Sequence, residues 1–234
     1  MTPRISVVVP CYNEGAGITP FLDRLFDSVT MPCEVLAVYD TPEDSTLPHL
    51  EAYAEKDPRL VPTHNTYGPG PARALHFGLD SAQAPIVVVT MADGSDDPQQ
   101  IEQLARLVER GVVVAAASRY MKTGQQVGGP FLKRIMSRGA GLSLYWLARV
   151  GTRDATNSFK AYDRDFVRRV GIESDTGFEL GLEMVAKARR RRLPVAEIPT
   201  IWLDRTAGTS SFQVWSWLPR YLRWYRHAFG PRLR

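Results

Sequence analysis

The chain has 234 residues, of which 44% are hydrophobic and 23% charged, and its formal net charge at pH 7 is +4. This size fits one large domain, or one domain with an appendage, and it allows a sizeable buried core. The longest apolar patch, residues 139–150, is well short of the about 20 residues that span a bilayer, so a membrane-spanning helix is not expected.

The N-terminal residues and the cysteines point to a reducing compartment. The start of the chain runs directly into a strand pattern without a charged and apolar leader, so we expect no secretory signal. Cys11 and Cys33 have no metal-ligand spacing and do not suggest a disulfide framework. We therefore expect a cytoplasmic protein, either soluble or peripheral at the cytoplasmic face of a membrane.

Short runs rich in Val and Ile alternate with helical patterns through the first half of the chain. The predicted strands are residues 5–10, 34–39, 86–91 and 112–118. The predicted helices between them are residues 17–28, 46–55, 71–81 and 98–110. This alternation predicts an α/β fold with a mainly parallel sheet and helices on both faces.

Polar side chains follow the end of each predicted strand. Glu14 follows the first strand, Asp40 the second, Asp93 the third and Arg119 the fourth. In open parallel sheets, ligands bind beyond the carboxyl ends of the strands. The spacing therefore predicts a ligand site at this edge.

The strand at residues 86–91 leads into three carboxylates: Asp93, Asp96 and Asp97. A hard cation such as Mg²⁺ or Mn²⁺ prefers oxygen ligands and bridges readily to a diphosphate. The alternative is that Asp96 and Asp97 only cap the helix that begins near Pro98. The stretch alone does not decide between a metal site and a cap.

The second half is less regular. It contains helix patterns at residues 133–150 and 178–190, a strand pattern at 195–202, and a loop of small residues at 204–211. Residues 220–234 then hold five arginines and no acids, interleaved with aromatic residues. Such a segment is typical of a membrane interface, of nucleic-acid binding, or of an ordinary C-terminal helix that packs its aromatics on the domain.

Several blocks together resemble inverting family-2 glycosyltransferases, and more closely the branch of dolichol- or polyprenol-phosphate mannose synthases. The first block is Val7-Val8-Val9-Pro10-Cys11-Tyr12-Asn13-Glu14. The others are Ser118-Arg119-Tyr120, Ser137-Arg138, the run from Asp154 to Tyr162, Gly177-Phe178-Glu179 with Glu183, and Asp204-Arg205 with Gly208 and Ser210. The order of these blocks covers nearly the whole chain.

The resemblance implies a GT-A (Rossmann-like) glycosyltransferase domain over residues 1–211, followed by a basic aromatic segment over 212–234 that lies on a membrane surface or packs on the domain. It implies transfer of a hexose, mannose or glucose, from a GDP or UDP sugar to a polyprenyl or dolichyl phosphate with inversion. The expected cofactor is Mg²⁺ or Mn²⁺, and no nucleic-acid partner is expected.

The site residues follow from the same blocks. The nucleotide-sugar set is Pro10, Tyr12, Glu14, Asp40, Ala92 and Asp93. The metal set is Asp93, Ser95 and Asp96. The acceptor-phosphate set is Arg119, Arg134, Ser137, Arg138 and Arg205. Asp93, Arg119, Arg205 and Asp175 form the catalytic set, and Glu14 has the alternative role of a helix cap.

The chain departs from the family pattern around the phosphates. Met91 stands where the first aspartate of Asp-x-Asp is expected, and Ser211 stands in place of a lysine. Two alternatives therefore remain: an enzyme of the same family with a sugar hydroxyl as acceptor, or a nucleotide-sugar-binding relative that has lost catalysis. A hydroxyl acceptor requires a carboxylate base, for which Asp175 and Glu179 are the candidates. The alternative is that Asp175 caps a helix and Glu179 has a structural role.

Overall fold

The computed structural model describes residues 2–204 and 214–233, without the side chains of residues 132, 133 and 214–216. The strands are β1 (Ile5–Pro10), β2 (Cys33–Tyr39), β3 (Leu60–His64), β4 (Ile86–Val89), β5 (Val114–Ser118), β6 (Gln125–Val127), β7 (Lys160–Asp163), β8 (Val195–Pro199) and β9 (Ile201–Leu203). The helices are α1 (Ile18–Ser28), α2 (Leu47–Ala54), α3 (Pro71–Ser81), α4 (Ile101–Glu109), α5 (Phe131–Ser143), α6 (Arg164–Val170), α7 (Leu180–Arg190) and α8 (Val214–Ala228).

Seven strands form one sheet in the order β3-β2-β1-β4-β7-β5-β8. β7 alone pairs antiparallel with both of its neighbours, and the other pairings within this sheet are parallel. The central strands are buried apolar runs, as expected for a sheet that is covered on both faces. The predicted α/β class with a mainly parallel sheet is confirmed.

Two apolar clusters cover the two faces of the sheet. One joins the strands to α1, α2 and α4, and the other joins them to α3, α6, α7 and α8. Helix α7 is buried along most of its length because α8 packs over it, and Trp224 of α8 belongs to the second cluster. None of the helices in the described ranges has both the length and the apolar character needed to cross a bilayer.

Some predicted boundaries are wrong for identifiable reasons. The predicted strand 195–202 is two strands, because the chain passes at Thr200 from the main sheet to a separate two-stranded sheet of β6 and β9. The predicted helix 133–150 is α5 followed by a π-helical turn, Leu144–Ala148, which ends at Arg149 with a φ of 57°. The short strands β3, β6 and β7 and helix α6 were not predicted.

Candidate functional site

Five segments meet at one edge of the main sheet. β1, β2, β4 and β5 all end there, and the strand order reverses between β1 and β4. Because β7 runs in the opposite direction, its first residue, Lys160, lies at this edge opposite Val89 of β4 and Ala116 of β5. The segment that leads into β7, residues 154–159, therefore lies at the same edge. We call the space beyond these strand ends the crevice.

The three carboxylates that follow β4 make three different contacts. Asp97 caps the short 3-10 helix Pro98–Gln100 by accepting from the Gln99 amide. Asp96 is buried and accepts from the Thr90 hydroxyl and the Met91 amide at 3.2 and 3.1 Å. The capping interpretation is therefore correct for Asp97, whereas Asp96 turns back toward the strand end.

Asp93 lies in the same loop as Asp96 and Asp97. It is half-buried, and its Oδ1 accepts from the Ser95 amide at 3.0 Å. Burial raises the pKa of Asp96 to about 7, and the nearby carboxylate of Asp93 acts in the same direction. In the part of the chain that the structure describes, no three His, Cys, Asp or Glu side chains come together to hold a metal ion. Protein ligands for a cation at this loop would therefore be few.

Arg119 is fixed by a buried carboxylate. Its Nε lies 2.7 Å and its Nη2 2.9 Å from the two oxygens of Asp154, and its backbone amide also donates to Asp154. Burial opposes the charge on both side chains, but their attraction raises the pKa of Arg119 and lowers the pKa of Asp154. Arg119 is therefore held as a cation in one orientation at the end of β5.

Two residues of the predicted acceptor-phosphate set, Ser137 and Arg119, are in contact. The Ser137 hydroxyl accepts from Arg119 Nη2 at 3.2 Å and from the Tyr120 hydroxyl at 3.0 Å, and it lies 2.6 Å from the Thr156 hydroxyl. Among the described residues, Nη1 of Arg119 makes no hydrogen bond, so this nitrogen remains a donor for a ligand.

The other predicted arginines are placed less closely or lie outside the described part. Arg138 is exposed on α5. Burial raises the pKa of the Tyr120 hydroxyl, and the positive charge of Arg138 opposes that rise. Arg134 lies over the Phe131 ring at 5.6 Å, on the same helix. Arg205 lies outside the described residues, directly after Asp204, so its role stays a prediction. The Leu203 backbone amide nevertheless donates to the Ser95 carbonyl at 3.3 Å. This bond joins β9 to the loop over residues 93–97, which we call the acidic loop.

Lys160 was missed by the sequence prediction. It is fully buried, and its ammonium donates to the carbonyl oxygens of Ala155, at 3.3 Å, and Asn157. Burial lowers its pKa to about 7, although the carboxylates of Asp154 and Asp96 act in the opposite direction. The resembling block contained both Asp154 and Lys160, but only the antiparallel course of β7 places them in the site.

The donor-side predictions cluster around the ends of β1 and β2. Tyr12 is 69% exposed at the end of β1, where its ring is open to a planar partner. Both oxygens of Asp40 are engaged, by the Asn65 amide nitrogen and by the Gly70 backbone, each at 2.8 Å. Asp40 therefore shapes the loop before α3, and any contact with a ribose would be additional. Pro10 is half-buried and Ala92 is buried.

Glu14 does not cap the helix that follows it. It precedes the 3-10 helix Gly15–Gly17, and its side chain makes no capping hydrogen bond there. Its backbone amide donates to the Thr46 hydroxyl, while the Asn13 amide donates to both oxygens of Asp44 at 3.1 Å. These contacts connect the loop after β1 to the start of α2, and this connection was not predicted.

The loop before α7 has a structural role that the sequence did not reveal. Asp175 is exposed, accepts from the Thr176 hydroxyl and lies 3.6 Å from Arg220 of α8. It caps no helix, because α7 begins later with Glu179 at its N-cap. Burial raises the pKa of Glu179, which accepts from the Gly177 amide. Within α7, Glu183 forms a buried ion pair with Lys187 at 2.6 Å.

The described part of the C-terminal segment packs on the domain. Trp217 and Trp224 are buried, and the Lys187 ammonium lies 5.1 Å from the Trp224 ring. These contacts agree with the interpretation of an ordinary C-terminal helix. Phe212 lies outside the described residues, as does the Trp215 side chain, and the division at residue 212 stays a prediction.

The chain is similar to known glycosyltransferases. The model of the family Glycosyl transferase family 2 matches residues 6–171. The polyprenol monophosphomannose synthase of Mycolicibacterium smegmatis is 27% identical over 89% of this chain and 81% of its own length. The undecaprenyl-phosphate mannosyltransferase of Micrococcus luteus is 26% identical over 88% of this chain and 86% of its own length.

Solved structures show the same fold. Glucosyl-3-phosphoglycerate synthase from Mycobacterium tuberculosis, in complex with Mn²⁺, UDP and glucosyl-3-phosphoglycerate, matches with a TM-score of 0.69 at 17% identity, over 99% of this chain and 81% of that one. A mannosyltransferase from Pyrobaculum calidifontis, in complex with GDP-Man and Mn²⁺, matches with a TM-score of 0.60 at 21% identity, over 90% of this chain and 59% of that one. The expected GT-A architecture is confirmed, and because the family model spans more than half of the sequence, the chain belongs to glycosyl transferase family 2.

Proposed function

We propose that the protein transfers a hexose, mannose or glucose, from a nucleotide sugar to a polyprenyl or dolichyl phosphate with inversion at the sugar. The observation that carries this proposal is the Arg119 arrangement. Arg119 forms an ion pair with Asp154 and donates to the Ser137 hydroxyl. It lies beside the acidic loop, where its positive charge opposes the rise in the pKa of Asp96 that burial causes. A planar guanidinium with a remaining donor suits a phosphate oxygen.

The relatives support a lipid phosphate as acceptor. Both are named as mannosyl-transferring enzymes of polyprenol or undecaprenyl phosphate, and each match covers most of this chain. We propose that this chain uses the same class of acceptor and works at the cytoplasmic face of a membrane, with no nucleic-acid partner.

The chemistry proposed is a displacement at the anomeric carbon. A phosphate oxygen of the acceptor forms the new bond on one face of the sugar, while the bond to the nucleoside diphosphate breaks on the other. A phosphate is already ionised and needs no general base, so the protein must only hold and orient it. Arg119 and Ser137 would bind that phosphate, with Arg134, Arg138 and Arg205 adding positive charge.

The acidic loop fits a hard cation through oxygen ligands. Asp93 offers a half-buried carboxylate, and Ser95 and Asp96 lie within the same loop. Met91 offers no oxygen, so water and the donor diphosphate would complete the ligand set of Mg²⁺ or Mn²⁺. Such an ion would neutralise charge on the departing diphosphate.

The donor nucleotide would lie at the ends of β1 and β2. Tyr12 would pack on the base, and Glu14 and Asp40 would accept hydrogen bonds from the ribose or base, with Pro10 and Ala92 lining the pocket. The two solved neighbours were crystallised with UDP and with GDP-Man, so both donors belong in the test.

The test measures transfer of labelled sugar from GDP-mannose and UDP-glucose into butanol-extractable polyprenyl phosphate in detergent, with Mn²⁺. Asp93→Asn should reduce the transfer rate by at least about 100-fold, because it weakens charge stabilisation at the diphosphate. Asp97→Asn is the matched control, since asparagine also caps a helix and should leave the rate unchanged. Absence of label in the lipid phase with either donor would reject the proposal.

A sugar hydroxyl as acceptor is the second candidate function. Asp175 favours it, because this exposed carboxylate lies next to Thr176, whose carbonyl approaches Gly70 at the donor edge. Replacing Asp175 by Asn should abolish transfer to a hydroxyl but leave phosphate attack intact. Binding of nucleotide without turnover on either acceptor would instead identify the catalytically impaired relative that Met91 and Ser211 suggest.

A further inference from the structure

An apolar surface that the proposed chemistry does not use runs along α5 and the turn after it. Phe131 is 67% exposed, Trp146 68% and Leu147 71%, and Ile135 is also exposed. On an α-helix, Ile135 lies one turn beyond Phe131 on the same side. Groups of exposed large apolar side chains on a soluble protein often mark an interaction site.

The two-stranded sheet also exposes apolar side chains. Val127 of β6 lies opposite Leu203 of β9 in register, both are exposed, and so is Ile201, two residues before Leu203. Only residues 128–130 separate β6 from Phe131, the first residue of α5. We call the exposed side chains of these two regions the α5 face; its members are Val127, Phe131, Ile135, Trp146, Leu147, Ile201 and Leu203.

The charges around the α5 face have one predominant sign. Residues 110–153 contain eight Lys or Arg and no Asp or Glu. Two of these, Arg119 and Arg153, pair with Asp154 and Glu197 of other segments. Lys122, Arg138 and Arg149 are exposed. Aromatic and aliphatic side chains beside exposed cations are typical of a surface that lies in the headgroup region of an anionic bilayer.

The C-terminal segment is less suited to this role. Trp217 and Trp224, which suggested a membrane interface in the sequence, are buried against the domain. Of the large apolar side chains described in α8, only Leu222 is among the exposed ones, and Phe229 follows the helix. The exposed apolar surface therefore lies on α5, not on the described part of the tail.

We propose that the α5 face docks on the surface of an anionic lipid bilayer. The inference rests on the proposed function, because docking there would hold α5 against the bilayer, and the opposite side of the same helix carries Ser137 in contact with Arg119. The acceptor phosphate could then reach the crevice while its hydrocarbon chain stays in the bilayer.

The experiment is co-sedimentation of the full chain with vesicles of phosphatidylcholine alone and with added phosphatidylglycerol. The wild type should bind the anionic vesicles, and binding should weaken as salt is raised. Phe131→Ser with Trp146→Ser should reduce the partition coefficient by at least about tenfold, because two large apolar groups no longer enter the interface. Leu222→Ser with Phe229→Ser is the matched control and should bind like the wild type.

The outcomes separate docking from transfer. If the Phe131/Trp146 variant keeps transfer in detergent but loses vesicle binding, both proposals stand. Vesicle binding without any lipid-phosphate transfer would reject the proposed function and leave the docking face in place. Unchanged binding by that variant, with melting temperatures matched, would overturn the docking proposal. So would a wild type that ignores anionic vesicles and forms a dimer that the same variant abolishes.

Discussion

Lys160 is the residue whose environment is most at odds with its chemistry. A lysine ammonium is strongly hydrated in water, yet this one is fully buried at the start of β7. It compensates by donating to the carbonyls of Ala155 and Asn157, which fixes the loop that carries Asp154. Because Asp154 in turn holds Arg119, Lys160 acts on the crevice through the position of that loop.

This environment predicts a pH-dependent contribution to stability. With a pKa of about 7, Lys160 is neutral in the folded protein at higher pH, while the unfolded chain stays protonated up to about pH 10. The unfolded state then binds more protons, so this contribution to the free energy of unfolding rises with pH. The free energy of unfolding of the wild type minus that of Lys160→Met should therefore become more positive from pH 7 to 10, by at most about 1.4 kcal/mol per pH unit.

Urea denaturation at several pH values measures that difference. The exposed Lys56→Met variant makes the same chemical change away from the crevice and should retain the pH dependence of the wild type. A difference between wild type and Lys160→Met that falls with pH, or stays constant, would contradict the assignment of a lowered pKa.

At the residue scale, motif reasoning named residues that lie at this edge of the sheet, but it gave no role to the residues that hold them. Asp93, Arg119 and Ser137 were predicted from the resembling blocks. Asp154 and Lys160 were quoted within a block without a role, because Arg119, the partner of Asp154, lies at the end of another strand, and the burial of Lys160 depends on the two strands beside it. No local pattern states that the strand after residue 159 runs antiparallel between β4 and β5.

At the scale of elements, the packing of α5 depends on a missing side chain. A Cβ at Gly141 would collide with the backbone carbonyl of Arg153, directly before Asp154. Helix α5 therefore approaches the Asp154 loop as closely as it does because residue 141 is glycine. This close approach brings Ser137, one turn earlier, to Arg119 and Thr156.

Gly141→Ala should displace α5 from that loop. We expect a loss of about 1–3 kcal/mol in the free energy of unfolding, as for other overpacked contacts, and a lower rate of transfer to the lipid phosphate. Gly139→Ala is the matched control, because nothing lies within 4 Å of its added Cβ. That change should stabilise the helix by about 0.5–1 kcal/mol.

Urea denaturation and the transfer assay measure both variants. Equal stability of Gly141→Ala and Gly139→Ala would contradict the close packing described for α5.

The element pattern explains which parts of the fold could be predicted. Strands 5–10 and 34–39 are mostly apolar, with only Ser6 and Glu34 polar, so their positions were predicted nearly to the residue. β6 and β9 have three residues each and alternate in exposure, which gives no recognisable apolar run. β7 begins with a buried lysine, a residue type that rarely lies in a core.

At the scale of the whole molecule, the residues proposed to bind the donor and those proposed to bind the acceptor lie at two different regions of the sheet. The ends of β1, β2 and β4 present Tyr12, Asp40 and Asp93, whereas β5 and α5 present Arg119 and Ser137. β7 lies between the two, and its preceding loop contacts the second. Donor and acceptor would therefore meet at the boundary between the parallel half and the mixed half of the sheet.

This arrangement predicts that a nucleoside diphosphate and a divalent cation bind cooperatively without any acceptor. A ligand at 100 times its dissociation constant adds about 2.7 kcal/mol of stability, which corresponds to a rise of about 5–10 °C in melting temperature for a domain of this size. GDP or UDP with Mn²⁺ should produce this rise, and the larger of the two shifts would identify the donor nucleotide.

Removal of the cation provides the control. Chelation by EDTA, or Asp93→Asn, should abolish most of the shift, because the few protein ligands at the acidic loop hold the ion only together with the diphosphate. Asp97→Asn should keep the shift, since its side chain caps the 3-10 helix. A nucleotide shift of equal size with and without Mn²⁺ would show that the three acidic residues after β4 serve the loop and its helix cap alone.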